Sequence, residues 1–360
     1  MSLQLNGTDG VTFNDGSEQW AAASPIGTKN RIINGDMRID QRNAGVSVTV
    51  TANTYTLDRW FAISPTVSSK YSVIQSSTAP SNFTNSLLIT SLSAYTLGAS
   101  DRCTITQIIE GNMLADLGWG TSSAKTITIS FQVRSSLTGT FGGAVQNNTV
   151  TRSYPFTYTI NSANTWETKT ITISGDTTGT WETGTSAGIQ LHFGIGVGST
   201  YSGTADAWAS ADYRSASSVT NILGTSGATF YITGVQLEVG DTATPFEHRP
   251  YDMELARCQR YYFQYTGDTG FRFSTGYVQA TTLSWHFIYP PVTMRSGPTL
   301  SYANWEVRDP NARVISSLAV NQIGANEVYI LATITGGVAG SGCQFRATAN
   351  GAYMKFDAEL

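Results

Sequence analysis

The side chains that could catalyse a reaction in this chain are few and widely separated. The 360 residues contain only three histidines, His192, His248 and His286. None of them lies in a metal-ligand spacing or in a nucleophile motif, so a structural role is the expectation for each. A Ser-His-Asp set assembled from distant positions stays open, because triads form in space. No residue pattern points to a catalytic, metal or cofactor site.

Paired carboxylates are the sharper catalytic hypothesis, because glycoside hydrolysis uses two Asp or Glu side chains beside the scissile bond. The candidates are Asp101, Glu110 and Asp116, or Glu167 and Glu182. Each also has an explanation without catalysis. Glu110 and Asp116 flank a predicted helical turn, and Glu167 and Glu182 each follow a tryptophan at a turn between strands.

Sugar binding demands less than catalysis. It needs aromatic faces that stack on pyranose rings, with amides, hydroxyls and carboxylates nearby. Segments 199–215, 180–185 and 301–313 combine such residues, and the candidate glycan-binding side chains are Trp181, Tyr201, Trp208, Tyr213, Tyr302 and Trp305. The alternative for each is that the ring covers a sheet edge, because tryptophan is usually mostly buried.

The composition excludes several classes of partner. Only 13% of residues are charged, against about 25% in an average soluble domain. A formal net charge of −4 without any Lys/Arg run argues against nucleic acid. No stretch of about 20 apolar residues predicts membrane insertion. The cysteines Cys103, Cys258 and Cys343 are far apart, and we expect buried thiols in a protein made in a reducing cytoplasm.

Strict alternation of apolar and polar residues indicates strands from about residue 30 to 247. Residues 126–134 place Ile127, Ile129, Phe131 and Val133 on one face. Many such segments separated by Gly, Ser, Thr and Asn turns predict a jelly-roll β-sandwich. In the last of them the alternation changes parity at Thr233-Gly234, which predicts a β-bulge there.

A proline-rich strap and a short helix follow this strand. Pro245 and Pro250 cannot donate to a ladder and favour an extended path. Asp252 is then placed to cap a short helix that carries one apolar stripe, formed by Leu255, Cys258 and Tyr262.

The last hundred residues also alternate. Asn350-Gly351 is the preferred two-residue hairpin turn, and pairing outward from it places every apolar residue on one face. Residues 328–334 are apolar on both faces, which suggests that some apolar surface meets another subunit. The candidate trimer-interface residues are Val328, Tyr329, Leu331, Phe345 and Phe356.

The predicted architecture is therefore all-β, a jelly-roll sandwich followed by a short helix and a C-terminal antiparallel β-sandwich tip domain. Residues 1–29 are too short to own a core and need a partner for order. The predicted parts are an attachment or oligomerisation segment at 1–29, a jelly-roll domain at 30–247, a proline strap and coupling helix at 248–265, and a tip domain at 266–360.

Three segments resemble bacteriophage tail-fibre and prophage structural proteins: "NRIINGDMRIDQRN" at 30–43, "YTLDRWFA" at 55–62, and "FYITGVQLEVGDTATPFEHRPYDMELARCQRYY" at 230–262. The sandwich between them is similar to carbohydrate-binding jelly rolls. The resemblance implies a non-enzymatic homotrimer in the virion, mounted on other virion proteins through residues 1–29. It also implies recognition of host cell-surface polysaccharide or lipopolysaccharide. No family binding residue comes with these segments.

Two other functions stay open at this stage. One is a tailspike that depolymerises polysaccharide, which would use the carboxylates named above. The other is a fibre that decorates the head or tail and binds no ligand.

Overall fold

The computed structural model describes residues 29–64, 68–323 and 327–360, together with the backbone of two short strands nearer the start. These strands, β1 (Val11–Thr12) and β2 (Glu18–Gln19), form an antiparallel pair. The predicted attachment segment, residues 1–29, lies outside the described residues except for these two strands and residue 29.

Two six-stranded antiparallel sheets form the larger domain. The first has the order β11-β10-β13-β8-β5-β4 and the second the order β12-β9-β16-β7-β6-β3. In chain order the strands of these two sheets are β3 (Val48–Thr49), β4 (Thr54–Tyr55), β5 (Trp60–Ile63), β6 (Tyr71–Ser76), β7 (Ser86–Ser91), β8 (Arg102–Glu110), β9 (Ile127–Ser135), β10 (Gly139–Asn147), β11 (Ser153–Ile160), β12 (Glu167–Ile173), β13 (Ala187–Val197) and β16 (Thr229–Val239). Two further strands, β14 (Ser202–Gly203) and β15 (Ser215–Ala216), form a separate parallel pair. The described chain adds single-turn 3-10 helices at Gly111–Met113, Ala115–Leu117, Ser199–Tyr201 and Ile222–Gly224.

The apolar faces of the two sheets meet in one core, as the alternation predicts. Ile129 and Phe131 of β9 are essentially inaccessible to solvent. The Phe131 ring lies 5.1 Å from that of Phe193 on the facing sheet. The all-β jelly-roll sandwich expected from the sequence is confirmed.

The predicted bulge in β16 is present. The register between β16 and β9 shifts between Thr233 and Gln236, and Gly234 has a φ of +60°. This left-handed conformation is open to glycine at little cost. The extra residue restores one continuous apolar side, and Ile232, Val235 and Leu237 are all buried.

The strap, defined here as residues 240–250, has no helix or strand and leads into α1 (Tyr251–Gln259). The prediction that Asp252 caps this helix is wrong. The helix starts at Tyr251, two residues earlier than an Asp252 cap would place its start, and no side chain caps it. Asp252 instead lies in the first turn, where a negative charge interacts favourably with the helix dipole.

The C-terminal domain is a closed six-stranded barrel of order β18-β19-β23-β22-β21-β24 with a three-stranded sheet β17-β25-β20 beside it. This differs in closure from the expected sandwich. It begins at Tyr262, a few residues before the predicted boundary. The strands are β17 (Tyr262–Gly267), β18 (Arg272–Ala280), β19 (Leu283–Ile288), β20 (Thr299–Ala303), β21 (Trp305–Arg308), β22 (Ala312–Ile323), β23 (Val328–Ile334), β24 (Gly342–Ala347) and β25 (Ala352–Asp357).

The predicted hairpin around Asn350-Gly351 is wrong in its pairing. β24 pairs with β18 and β21 of the barrel, whereas β25 pairs with β17 and β20 of the other sheet. The turn is a corner between two sheets. The predicted buried face is nevertheless correct, because apolar residues of both strands enter one shared core, namely Cys343, Phe345, Ala347, Ala352, Met354, Phe356 and Ala358.

This packing contradicts the predicted interface role of three residues. Val328, Phe345 and Phe356 are completely buried inside the domain, so they cannot contact another subunit without unfolding it. Tyr329 and Leu331 point to the outside of the barrel, on the opposite face of β23.

Buried ion pairs join the two domains. Glu359, near the C-terminus, has a side chain that is 4% exposed and pairs with Arg42 and Arg59 of the sandwich domain. Arg260, just after α1, pairs with the buried Glu110 at 2.7 Å, and Tyr261 donates a hydrogen bond to the same carboxylate. The sandwich and the C-terminal domain are thus held in one orientation.

Replacement of Glu359 by glutamine tests this junction. The change leaves the buried guanidinium of Arg59 without a counter-charge, and loss of one partner of a buried pair costs about 3–5 kcal/mol. We expect E359Q to lower the free energy of unfolding by that amount. The measurement is urea-induced unfolding monitored by tryptophan fluorescence. The matched control is E182Q, which changes an exposed carboxylate. Equal stability of the two variants would contradict the role of Glu359.

Candidate functional site

A groove of about 840 Å³ lies on the outer face of the second sheet, between the strap and the loop before β7. We call it the strap groove. Its size lies within the range of small-molecule sites, about 300–1,000 Å³.

The floor of the strap groove consists of polar side chains on β9 and β12. They are Ser130, Gln132, Thr168 and Thr170, which occupy the polar positions of the alternating pattern. Thr168 pairs with Gln132, and Thr170 with Ser130, across the two strands. Gln132 Nε2 donates to Thr168 Oγ1 at 2.8 Å. The floor therefore offers hydroxyl and amide groups at the surface.

One wall of the strap groove is aromatic. The rings of Phe83, Phe246 and His248 contact one another with centroid separations of 4.9–5.2 Å. Phe83 and Phe246 are half-buried and His248 is exposed. Because the three rings brace each other, this wall is an ordered apolar surface that faces solvent.

Gly234, at the bulge, lets the wall approach the sheet. A Cβ atom built at this position would lie 2.7 Å from the Phe83 ring, closer than carbon atoms can approach. The bulge and the missing side chain together allow Phe83 to lie on the backbone of β16.

Two buried side chains of β16 hold the strap in place. Glu238 accepts hydrogen bonds from the backbone N–H of Thr244, at 2.9 Å, and from its hydroxyl, at 2.7 Å. Gln236 donates to the carbonyl oxygen of Thr244 and accepts from the N–H of Glu247. These bonds flank Pro245 and Phe246, and so they position the aromatic wall over the floor.

Within the described chain, no Asp, Glu, Lys or Arg lines the strap groove. The side chains that line the groove are therefore uncharged polar groups and aromatic or other apolar groups. The groove also lacks the paired carboxylates that glycoside hydrolysis uses.

Trp181 and Trp208, two of the predicted glycan-binding residues, come together elsewhere, with the buried Trp119. The three rings make edge-to-face contacts with centroids 4.6–5.5 Å apart. Both indole N–H groups donate to backbone carbonyls, of Thr178 and Ser174. This cluster packs on the sandwich core.

Tyr201 ends the 3-10 helix before β14, and Tyr213 lies in the loop between β14 and β15. The Tyr201 ring is contacted by the Arg102 guanidinium at 4.9 Å. The Tyr213 ring packs directly over Gly203. Both rings are half-buried, and neither lines the strap groove.

Trp305 is a correction to the predicted glycan-binding set. Its side chain is 6% exposed, its N–H donates to the carbonyl of Tyr353, and its ring packs on Phe273. Neither face of the indole is free to stack on a sugar. Tyr302 is half-buried against the same core.

The carboxylates considered for glycoside hydrolysis each form a local ion pair or accept a local hydrogen bond. Glu110 pairs with Arg260, and Asp116 pairs with Arg31. Lys169 donates to Glu167, and this bond and nearby N–H donors lower the pKa of Glu167 to about 2. None of the candidates lines the strap groove, and in the described residues no group of three or more His, Cys, Asp or Glu side chains could hold a metal ion.

The sequence reasoning missed Phe83, Phe246 and His248. A signal for two of them was present, since Phe246 and His248 lie in the strap between Pro245 and Pro250. A strap that crosses the polar face of a sheet creates a groove along its edge. Phe83 carried no local signal, because only the fold brings its loop to the strap.

Comparisons with known proteins find structural likeness at low identity. No family model matches the chain, and no curated protein matches its sequence. A putative sugar binding protein from Bacteroides thetaiotaomicron VPI-5482 is 11% identical with a TM-score of 0.35, over 59% of this chain and 100% of that one. The family 11 carbohydrate-binding module of a Clostridium thermocellum cellulosomal cellulase is 14% identical with a TM-score of 0.29, over 55% of this chain and 97% of that one.

The enzymatically active domain of tailspike protein 4 from bacteriophage CBA120 is 10% identical with a TM-score of 0.30. The match covers 59% of this chain and 22% of the tailspike structure, so it spans about a fifth of that chain's length. Since these scores are low, the case for a ligand depends on the side chains of the strap groove.

Replacement of Gly234 by alanine tests how the wall is built. The new methyl group would collide with Phe83 in a backbone conformation that non-glycine residues adopt at a cost of about 1–3 kcal/mol. We expect a loss of stability of at least that size in chemical unfolding, and displacement of the Phe83 ring in a crystal structure. Gly227 also has a positive φ but open space around it, so G227A is the control that separates collision from backbone strain. Equal losses in the two variants would mean that the Phe83 contact contributes nothing.

Proposed function

We propose that this chain is the receptor-binding component of a bacteriophage tail fibre and binds an uncharged stretch of host-surface glycan in the strap groove. The observation that carries the proposal is the strap groove itself, an uncharged floor of hydroxyl and amide groups beside a wall of aromatic rings. The segments at 30–43, 55–62 and 230–262, which resemble tail-fibre proteins, support the virion assignment.

The groups of the strap groove match the two kinds of surface on a pyranose ring. Phe246 and Phe83 offer apolar faces for the C–H side of the sugar. Gln132, Thr168 and Thr170 offer donors and acceptors for its hydroxyl groups. Gln132 and Thr168 are already hydrogen-bonded to each other, so part of the floor is ordered before the ligand arrives.

We assign subunit association to the outer aromatic face of the barrel, defined as Tyr277, Trp285, Phe287, Tyr329 and Leu331. The four aromatic rings form a chain of contacts, with neighbouring centroids 4.9–5.4 Å apart. Tyr277 is 38% exposed, and Trp285, Phe287 and Leu331 are partly exposed on the same outer face. A contiguous aromatic and apolar patch on the outside of a domain is typical of a protein–protein interface.

Association of three chains would make weak sugar binding useful. Linked sites raise overall avidity by about 10²–10⁴ without any new contact. An open groove that binds a single sugar chain weakly therefore suits a fibre that meets many copies of the same glycan on one cell.

Truncation of Phe246 tests the ligand site. F246A removes the apolar face that contacts the sugar, and aromatic pairs alone contribute about 0.5–1.5 kcal/mol beyond area burial. We expect roughly tenfold weaker binding to host cells or purified host polysaccharide, measured by surface plasmon resonance. F271A is the control, because Phe271 is a 43% exposed phenylalanine on the barrel. A wild-type protein that neither binds host cells nor blocks phage adsorption would refute receptor binding and favour a ligand-free fibre.

A charge on the outer aromatic face tests the trimer. We expect wild-type protein to have three times the chain mass of 38.6 kDa by light scattering, and L331D to be monomeric, because an unpaired carboxylate would be buried in the interface. T299D places the same charge at an exposed position of β20 and should leave the mass unchanged. A monomeric wild-type protein would overturn the assignment.

A further inference from the structure

A second groove lies on the outside of the barrel, where β18, β24 and β21 run side by side. It has a volume of about 380 Å³, and its polar lining side chains include Arg272, Thr275, Arg308 and Gln344. We call it the arginine groove. It belongs to the other domain and shares no residue with the strap groove.

Positive charge is in excess along this groove. Glu306 is the nearby carboxylate on the outer face, and Arg346 already holds it at 2.8 Å. Arg308 reaches the same carboxylate only at 3.9 Å. Arg272 is exposed and has no ion pair within the described residues. Arg272 and Arg308 therefore have no close carboxylate partner, because the charge of Glu306 is largely compensated by Arg346.

Asp309 also lines the groove, but its carboxylate is committed elsewhere. It accepts hydrogen bonds from the backbone N–H of Asn311 and of Val338, and it pairs with Arg313 at 3.1 Å. These donors lower the pKa of Asp309 despite the opposing effect of burial. Its charge is compensated by Arg313, so it does not compensate Arg272 or Arg308.

An arginine-rich groove is unexpected on this chain. The formal net charge is −4, and only 13% of residues are charged. The excess at Arg272 and Arg308 therefore does not reflect a generally basic surface. Guanidinium groups present a rigid fork of donors that matches the oxygens of a carboxylate or a phosphate.

We propose that the arginine groove binds the anionic group of an acidic saccharide, its carboxylate or phosphate lying between Arg272 and Arg308. Thr275 and Gln344 are exposed beside them and can bind hydroxyl groups of the same sugar. The inference depends on the proposed function for the glycan nature of the ligand, but it uses different residues in a different domain. The barrel would then bind the charged groups of the host glycan, and the strap groove would bind its uncharged part.

The test compares three tetrasaccharide probes by isothermal titration: a galacturonic acid oligomer, phosphorylated maltotetraose, and neutral maltotetraose. The variant is R272Q/R308Q, which changes two solvent-accessible side chains and leaves the Arg346–Glu306 pair intact. The control is K355Q, which removes a positive charge from β25 outside the groove. Unchanged circular dichroism and melting temperature establish that each variant is folded.

We expect the double variant to bind at least one acidic probe about tenfold or more weakly, with unchanged affinity for the neutral probe. The acidic probe that loses affinity identifies carboxylate or phosphate as the ligand group. Binding by wild type should weaken at high salt, since exposed charges are screened. F246A should retain acidic binding at the arginine groove.

Three results would overturn the inference. One is an equal loss in K355Q, which would indicate non-specific attraction. Another is unchanged acidic binding in R272Q/R308Q. The third is a wild-type protein that binds the neutral probe but neither acidic probe, with F246A abolishing the neutral binding. That result would overturn the inference and leave the proposed function standing. Acidic binding that depends on Arg272 and Arg308, without binding in the strap groove, would refute the strap-groove proposal alone.

Discussion

The hydrogen bonds between β16 and the strap are the interaction on which the candidate site depends. Gln236 and Glu238 point to the outer face of their sheet, yet both are buried beneath the strap. Buried polar groups are costly without partners, and the strap's backbone at Thr244 and Glu247 supplies those partners. The same bonds place Phe246 over the sheet. The groove is therefore a consequence of how two polar side chains are satisfied.

The strap also connects the sandwich domain to the helix through hydrogen bonds and an ion pair of its own. Arg249, at its end, donates to the carbonyl of Ile32 and pairs with Glu254 of the helix. The helix leads to Arg260 and its bond to Glu110, while the chain end returns with Glu359 to Arg59. Buried charges without partners destabilise a fold strongly. Hence each domain supplies counter-charges for buried ions of the other.

If the two grooves bind glycan as we propose, the ion pairs that join the domains affect which glycans fit. The strap groove is uncharged, and the arginine groove carries excess positive charge. If both contact one polymer, their fixed separation favours glycans whose neutral and acidic residues are spaced to match. Subunit association through the outer aromatic face would multiply that selection, because linked sites act together only when the geometry allows simultaneous contact.

The sequence by itself determined the strands, their buried faces and the bulge, because side-chain alternation and the special conformation of glycine act over a few residues. It predicted that Phe345 and Phe356 share a face with their neighbours, and both lie in one core. It did not determine that their strands join different sheets. Asn350-Gly351 specifies only a local reversal, and an apolar face is satisfied by any partner strand that covers it.

Which residues form the candidate site also depends on tertiary structure, for the same reason. Aromatic residues in polar loops predicted Trp181, Trp208 and Trp305, but a ring's composition does not reveal whether another ring or a sugar will cover it. Trp305 is covered by Phe273, and the tryptophans at 181 and 208 cover each other. Phe83 and Phe246 are 163 positions apart in the chain. Only the long-range path of the strap brings them together, and no local pattern encodes a contact of that kind.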